Sequence, residues 1–167
     1  MIELNVNQDD IVLACAEAEK IGALKRSILL GKGNKTGILG ELSVVRYFGN
    51  DAAVRVSTYD HDILINGIKF DVKTKRRTVV AKSEYNAAIP EYQLKQKCDC
   101  YLFASLRIAG GVPVGITLCG WISKSNFVKK SRLVQAGSRD DSNDWYCSMD
   151  CLVLPYRDLL PIDDLKK

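Results

Sequence analysis

The sequence is poor in the residues from which zinc and disulfide sites are built. Its single histidine, His61, is far in sequence from the cysteines that could pair with it. Of the six cysteines, only Cys147 and Cys151 have the spacing of structural zinc ligands, and such sites commonly include histidine. No secretory signal precedes them, so disulfides are not expected. We therefore predict reduced, buried thiols, with a zinc site at Cys147 and Cys151 as the less favoured alternative.

Long apolar runs are also missing from the sequence. No stretch approaches the roughly 20 apolar residues that a membrane-spanning helix needs. Residues 1–5 lack the basic start and the apolar segment of a signal peptide. The glycines in residues 31–35 do not match the spacing of phosphate-cradling or dinucleotide-binding loops. We therefore expect a soluble cytoplasmic protein. Residues 31–35 are expected to be a plain connector.

The charge is only mildly unbalanced. The 24 basic and 20 acidic residues give a net charge of +4, which permits a polyanionic partner without requiring one. The distribution is more informative, because one short segment contains four basic residues, namely Lys73, Lys75, Arg76 and Arg77. A second basic cluster at residues 129–132 is as consistent with an ordinary solvated face as with a binding surface.

A length of 167 residues predicts a single domain. Apolar residues recur at helical spacing from about residue 9 to residue 30 and again from Thr36 to Phe48. We expect an N-terminal helix and connector (1–35), a core (36–119) and a C-terminal extension (120–167). The patterns further predict a strand from about Ala52, a partly helical stretch at Tyr85–Lys97, strands at Tyr101–Ile108 and Val112–Cys119, and a polar loop at Gly137–Trp145.

The most specific local signal is the Asn66-Gly67 dipeptide between two alternating runs. It is typical of a two-residue hairpin, because both turn positions need a positive φ. This turn sets Ile63 opposite Phe70 and, continued outward, Asp62 opposite Asp71. One face of the hairpin would then carry Ile63, Ile65, Ile68, Phe70, Val72 and Thr74, and the other would carry Asp60, Asp62, Leu64, Lys69, Asp71 and Lys73.

The acidic face of this hairpin requires an explanation, because like charges directly opposite each other on two strands repel. Mg²⁺ would remove the repulsion, since it is typically held by one or two carboxylates together with phosphate oxygens. Lys73 lies two residues from Asp71 on the same face and can reach both carboxylates. A solvated face neutralised by Lys69 and Lys73, or a register shifted by a bulge, explains the pattern about equally well.

At these residues the sequence resembles the PD-(D/E)xK nuclease superfamily, which has the restriction-endonuclease-like fold. The matching residues are Asp62 for the first acid, Asp71-Val72-Lys73 for the acid-x-Lys element, and Glu41 for the glutamate that a preceding helix often supplies. The resemblance covers about residues 36–108. It implies an α/β (α+β) fold with an αβββαβ core, in which helices flank a central mixed β-sheet.

The resemblance also implies metal-dependent hydrolysis of phosphodiester bonds. Mg²⁺, for which Mn²⁺ can substitute, would be held by Asp62, Asp71, the backbone carbonyl of Val72, and Glu41. Lys73 would orient or deprotonate the attacking water and offset charge on the phosphate. The candidate nucleic-acid contacts are Lys75, Arg76 and Arg77, which extend the catalytic strand, and Gln93 and Lys95 in the following helical stretch.

The function expected from these residues is that of a DNA endonuclease. A homodimer is expected, because one site cuts only one strand per encounter. Restriction, Holliday-junction-resolving and homing enzymes of the superfamily all occur near this size, and a phage or mobile element is a natural setting by analogy. The alternative is a non-catalytic nucleic-acid-binding module that keeps the nuclease fold.

Overall fold

A computed structural model describes residues 1–21, 34–50, 52–140 and 145–166, which form a mixed α+β fold. The helices are α1 (Gln8–Ile21), α2 (Asn34–Phe48) and α3 (Lys124–Lys130), with 3₁₀ helices at Glu91–Lys95, Tyr156–Asp158 and Ile162–Lys166. The strands are β1 (Ile2–Leu4), β2 (Ala53–Arg55), β3 (Ile63–Ile65), β4 (Ile68–Arg77), β5 (Asn86–Pro90), β6 (Cys100–Ala109), β7 (Val112–Ser123), β8 (Arg132–Val134), β9 (Arg139–Asp140), β10 (Trp145–Tyr146) and β11 (Cys151–Pro155).

A mixed sheet with the strand order β1-β7-β6-β4-β3-β2 forms the centre of the fold. Strands β4 and β6 are parallel, and the other neighbours in this sheet are antiparallel. Alternate side chains of β6 enter two cores. Leu102 and Ala104 pack with α1 and α2 on one face, whereas Tyr101 and Phe103 pack with β5, β11 and α3 on the other. The central sheet is therefore covered on both faces.

Helix α2 lies directly against the middle of β4 because Gly40 has no side chain. A Cβ atom built on Gly40 would come within 1.8 Å of Thr74 Oγ1, a distance that real Cβ atoms do not show. Ile38 and Leu39 on the same helix are buried in the core beneath the sheet. This close approach places the next residue, Glu41, in the same cleft as Asp71 and Lys73 of β4.

Several segments differ from the sequence prediction. The first helix ends at Ile21 in the structure, and the remainder predicted to extend to residue 30 lies outside the described residues. The stretch predicted as partly helical, Tyr85–Lys97, forms strand β5 and a 3₁₀ helix, so no second α-helix of the expected αβββαβ order occurs there. Of the predicted polar loop Gly137–Trp145, residues 139–140 form β9 and Trp145 begins β10, with which β9 pairs, whereas residues 141–144 lie outside the described residues.

The strands near the two ends of the chain belong to different sheets. Strand β1 forms an edge of the central sheet by pairing with β7. Strand β11 pairs with β5 on one side and β8 on the other, which gives a second sheet of order β5-β11-β8. No helix among the described residues is both long enough and apolar enough to cross a bilayer.

The β3–β4 hairpin has the predicted turn and the predicted register next to it. Asn66 and Gly67 have φ angles of 49° and 79°, as a two-residue turn of this kind requires. Ile65 pairs with Ile68 and Ile63 pairs with Phe70. The prediction is wrong for one side chain of the apolar face, because Ile68 is 41% exposed.

Candidate active site

The ladder between β3 and β4 ends at the pair Ile63 and Phe70, and the next residue, Asp62, does not continue it. The Asp62 N–H donates to the Phe70 carbonyl at 2.9 Å, so two successive residues lie opposite Phe70, as in a β-bulge. The Asp62 carbonyl accepts hydrogen bonds from the N–H groups of Val56 and Ser57. The predicted alignment of Asp62 directly opposite Asp71 in the ladder is therefore wrong, and the bulge alternative describes this end of the hairpin.

The two aspartate side chains nevertheless meet. Asp62 Oδ2 accepts a hydrogen bond from the backbone N–H of Val72 at 2.8 Å, which turns its carboxyl group toward β4. Burial, the charges of Asp71 and Glu41, and a hydrogen bond with Asp71 raise the pKa of Asp62 to about 8. Asp71 itself is 2% exposed. The site thus places the half-buried carboxyl group of Asp62 against the buried Asp71, and the raised pKa keeps Asp62 largely protonated near neutral pH.

Lys73 lies on the same face of β4 as Asp71. Its ammonium nitrogen is 2.7 Å from Asp71 Oδ2 and donates a hydrogen bond to Gln96 Oε1 at 3.3 Å. The Asp71 side chain is almost completely buried, whereas that of Lys73 is 20% exposed. Lys73 therefore reaches from the acidic pair toward the open part of the site.

Glu41 lines the same cleft but is already engaged by other side chains. Its Oε2 atom accepts hydrogen bonds from Arg55 Nε at 2.5 Å and from Ser57 Oγ at 3.1 Å. Arg55 Nη1 is also 2.7 Å from Glu17 Oε2 on α1. Glu41 is close enough to Asp62 to raise the pKa of Asp62, and its own charge is offset in part by a guanidinium group that it shares with Glu17.

Three groups at the site are of the kind expected of magnesium ligands. Asp62 and Asp71 supply neighbouring carboxyl oxygens, and a cation held there would displace the proton of Asp62. The Val72 N–H points to Asp62, so its carbonyl lies on the same side of β4, as in any extended residue. Carboxylate and carbonyl oxygens are ligands that Mg²⁺ accepts. No cluster of three or more His, Cys, Asp or Glu side chains with metal-binding geometry occurs in the described part of the chain, which leaves Glu41 outside the set.

The carboxyl groups open into a cleft of about 840 Å³. Its walls come from the first turns of α2, from β4, and from β5 together with the segment before β11. The lining includes Thr36, Gly37, Glu41, Asp62, Asp71, Val72, Lys73, Lys75, Arg76, Asn86, Gln93, Gln96, Ser148, Met149 and Cys151. Acidic groups are thus surrounded by basic and neutral polar groups, an arrangement suited to a phosphate-containing ligand.

The five candidate nucleic-acid contacts have different positions. Lys75, Arg76 and Gln93 line the cleft, and Arg76 is exposed. The Arg77 guanidinium lies 4.4 Å from the ring centroid of Tyr85, so it packs within the fold. Lys95 is exposed and is not among the residues that line the cleft.

Two residues near the site were missed by the sequence analysis, namely Gln96 and Arg55. Gln96 Nε2 donates to the Tyr59 carbonyl at 2.9 Å, while its Oε1 accepts from Lys73. Arg55 follows the expected alternation of β2 but carries no motif that would distinguish it. Neither residue has a local sequence signal, because the partners of both lie on distant parts of the chain.

The cysteines do not form a second site. All six are free, five are buried, and Cys15 is half-buried. Burial raises the pKa of Cys119 and Cys151 to about 12, so these thiols stay protonated and unreactive at neutral pH. Cys147 Sγ donates to the Met149 carbonyl at 2.8 Å. Cys147 and Cys151 belong to no metal-binding group of three or more ligands among the described residues.

Comparison with known proteins gives no further assignment. The chain matches no protein-family model, and no curated protein sequence matches it.

Proposed function

We propose that this protein is a metal-dependent endonuclease that hydrolyses DNA phosphodiester bonds and has a restriction-endonuclease-like core. The observation that carries the proposal is the contact between the half-buried carboxyl group of Asp62 and the buried Asp71, with the Lys73 ammonium 2.7 Å from Asp71. Two carboxylates in contact disfavour folding unless a proton or a cation offsets their charge, and a cation bound with a phosphate does so. The order α2-β2-β3-β4 followed by parallel β6 supports the same fold.

Each residue of the site has a distinct task in this proposal. Asp62 and Asp71, with the Val72 carbonyl, hold the cation, and Mg²⁺ bound there supplies Lewis acidity and lowers the pKa of water. Lys73 hydrogen-bonds to an oxygen of the scissile phosphate or to the attacking water, and its charge offsets the charge that develops on the phosphate. The exposed Arg76 binds a neighbouring phosphate along the cleft wall, whereas the buried Lys75 ammonium acts only through its charge, so affinity falls with added salt.

Glu41 has a different task from the one that the resemblance implies. Its carboxylate is paired with Arg55, which it shares with Glu17, and it lines the cleft. A second cation beside it would have to compete with the guanidinium group for the same oxygen. The proposal is therefore a site for one cation, in which Glu41 and Arg55 act together as a fixed dipole next to Asp62.

The proposal is tested by incubating the purified protein with supercoiled plasmid, linear duplex and a four-way junction, each with Mg²⁺, Mn²⁺ or EDTA. We expect metal-dependent cutting that Asp71→Ala abolishes while DNA binding persists. The exposed Asp158→Asn is the matched control, since it changes an aspartate that does not line the cleft. Cutting by Asp71→Ala at the wild-type rate would disprove the assignment. The preferred substrate distinguishes restriction-type, junction-resolving and homing activities.

A homodimer completes the proposal, because one site cuts one strand and a duplex has two strands of opposite direction. Sedimentation with and without DNA measures the stoichiometry. A monomer that only nicks supercoiled plasmid would remove the dimer from the proposal without affecting the chemistry of the site.

The alternative is a nucleic-acid-binding module without catalysis. The engagement of Glu41 by Arg55 favours it, because that contact removes one expected ligand from the metal set. This alternative predicts that Mn²⁺ does not bind at micromolar concentrations and that DNA affinity is the same in Mg²⁺ and in EDTA. Calorimetric titration with Mn²⁺ distinguishes it from the nuclease.

A further inference from the structure

We propose that Gln96 is a positioning residue that holds the Lys73 ammonium group over Asp71 and fastens the loop carrying Asp62 to the same point. The inference rests on the proposed function of Lys73. Gln96 immediately follows the 3₁₀ helix Glu91–Lys95 and lines the cleft. Its side-chain amide lies between Lys73 Nζ, at 3.3 Å from Oε1, and the Tyr59 carbonyl, at 2.9 Å from Nε2.

The two partners of the amide determine its orientation. The Lys73 ammonium group can only donate hydrogen bonds, and the Tyr59 carbonyl can only accept them. A glutamine satisfies both partners at once in a single orientation, with Oε1 toward Lys73 and Nε2 toward Tyr59. Glutamate at this position could accept from Lys73 but could not donate to Tyr59, and methionine could do neither.

Hydrogen bonds hold the backbone of Gln96 on both sides, so the position from which its side chain extends is fixed. Its N–H donates to the Gln93 carbonyl at 3.1 Å, and its own carbonyl accepts a hydrogen bond from Lys124 Nζ at the start of α3. The neighbouring Lys97 N–H donates to Asp60 Oδ1 at 3.1 Å, within the same loop as Tyr59. Residues 96–97 therefore fasten the segment between β2 and β3 to the far side of the cleft.

This arrangement restricts the directions in which Lys73 can donate. An ammonium group has three N–H donors. Gln96 Oε1 accepts one of them and Asp71 Oδ2 lies 2.7 Å from the nitrogen as an ion-pair partner, so at least one N–H remains for an oxygen of the substrate or for the attacking water. Gln96 thus fixes the angle at which Lys73 meets the reacting group, without touching that group itself.

The kinetic test compares Gln96→Met, Gln96→Glu and the exposed control Gln135→Met in the full-length protein with a DNA substrate that the wild type cuts. Loss of a hydrogen bond to a charged group predicts that Gln96→Met lowers kcat about tenfold while KM stays within about twofold. Gln96→Glu should keep kcat within about threefold, because it still accepts from Lys73 and the hydrogen bond from the Lys97 N–H to Asp60 still holds the loop. Equal kcat for Gln96→Met and wild type, or a change confined to KM, overturns the inference.

A second test measures the chemical reactivity of the Lys73 amine directly and requires no DNA cleavage. The protein is acetylated with an N-hydroxysuccinimide ester, and mass spectrometry gives the rate at Lys73 relative to the exposed Lys69 of the same strand. We expect this ratio to rise several-fold in Gln96→Met and to stay near the wild-type value in Gln96→Glu. An unchanged ratio in Gln96→Met overturns the inference even if the protein cuts DNA. A raised ratio in a protein that cuts no DNA supports the positioning of Lys73 and refutes the proposed function instead.

Discussion

The two ends of the β3–β4 hairpin are stabilised by different kinds of interaction. At the turn end, Asn66 and Gly67 adopt positive φ angles, and the strands pair in the register that this turn imposes. At the open end, the position of Asp62 depends on hydrogen bonds from Val56 and Ser57 and on the N–H of Val72. Local backbone chemistry thus determines the turn, whereas contacts with a neighbouring loop determine the acidic pair.

This contrast has a functional consequence. At the turn end, residues 66–69 are exposed, and none of them lines the cleft. The open end directs Asp62, Asp71 and Lys73 into the cleft, where the carboxyl groups lie in contact at the expense of mutual repulsion. A site of this kind depends on its surroundings to hold like charges together. Substitutions at the two ends of the hairpin should therefore differ in their effects on cutting and on stability.

The largest difference is expected between two lysines on the same strand. Lys73→Met removes the ammonium group beside Asp71 and should lower the rate of DNA cutting by about 10²–10⁴-fold, as for loss of a group that transfers or positions a proton. Lys69→Met changes an exposed residue near the turn and should keep the rate within about twofold of wild type. Rates of plasmid cutting under single-turnover conditions measure both. Similar losses for the two variants would contradict the separation of the hairpin into a structural and a functional end.

The pH dependence of stability should come largely from the open end. The folded pKa of Asp62 is raised to about 8, whereas an unfolded aspartate titrates near 3.9. Between these values the folded protein binds more protons than the unfolded chain, so its stability is highest at the acidic end and falls as the pH rises. The slope from this one proton is at most about 1.4 kcal/mol per pH unit.

Urea unfolding of the metal-free protein at pH 5 to 8 measures this slope, with Asp62→Asn as the matched variant. The asparagine can still accept the hydrogen bond from Val72, but it does not titrate. We expect the difference in the free energy of unfolding between wild type and Asp62→Asn to change steadily with pH. Saturating Mg²⁺ should flatten the wild-type curve, because the cation displaces the proton of Asp62. Parallel curves without metal would show that Asp62 titrates normally.

A smaller effect is expected from the contacts that hold Glu41 beside the open end. Arg55→Met leaves the buried Glu41 carboxylate without its guanidinium partner and should destabilise the protein by about 2–3 kcal/mol. Adding Glu41→Gln to Arg55→Met removes the unpaired charge and should recover about half of that loss. Urea unfolding of the two single variants and the double variant gives the coupling energy. Strictly additive effects would show that the two side chains do not depend on each other.

Features that depend on neighbouring residues were predictable from the sequence, and features that depend on remote residues were not. Asn66-Gly67 defined the turn, and apolar spacing located α2, β6 and β7 to within a few residues. From the sequence, the bulge at Asp62 was only one of several alternatives, because it depends on how residues 56–61 fold. Likewise, Gln96 meets Lys73 only because the parallel pairing of β4 and β6 brings the preceding 3₁₀ helix to the cleft.

The smallest predicted effect is at the turn end, where stability should change without loss of function. Gly67 has a φ angle of 79° and no atom within 4 Å of a Cβ built on it, so Gly67→Ala introduces backbone strain without a clash. The cost should be about 1 kcal/mol. Gly37→Ala in α2, where a Cβ also meets no atom within 4 Å, should instead raise stability by up to about 1 kcal/mol. Urea unfolding of both variants measures these changes. If Gly67→Ala also abolished plasmid cutting under conditions where the protein stays folded, the turn would have to control the acidic pair, and the two ends of the hairpin would not be independent.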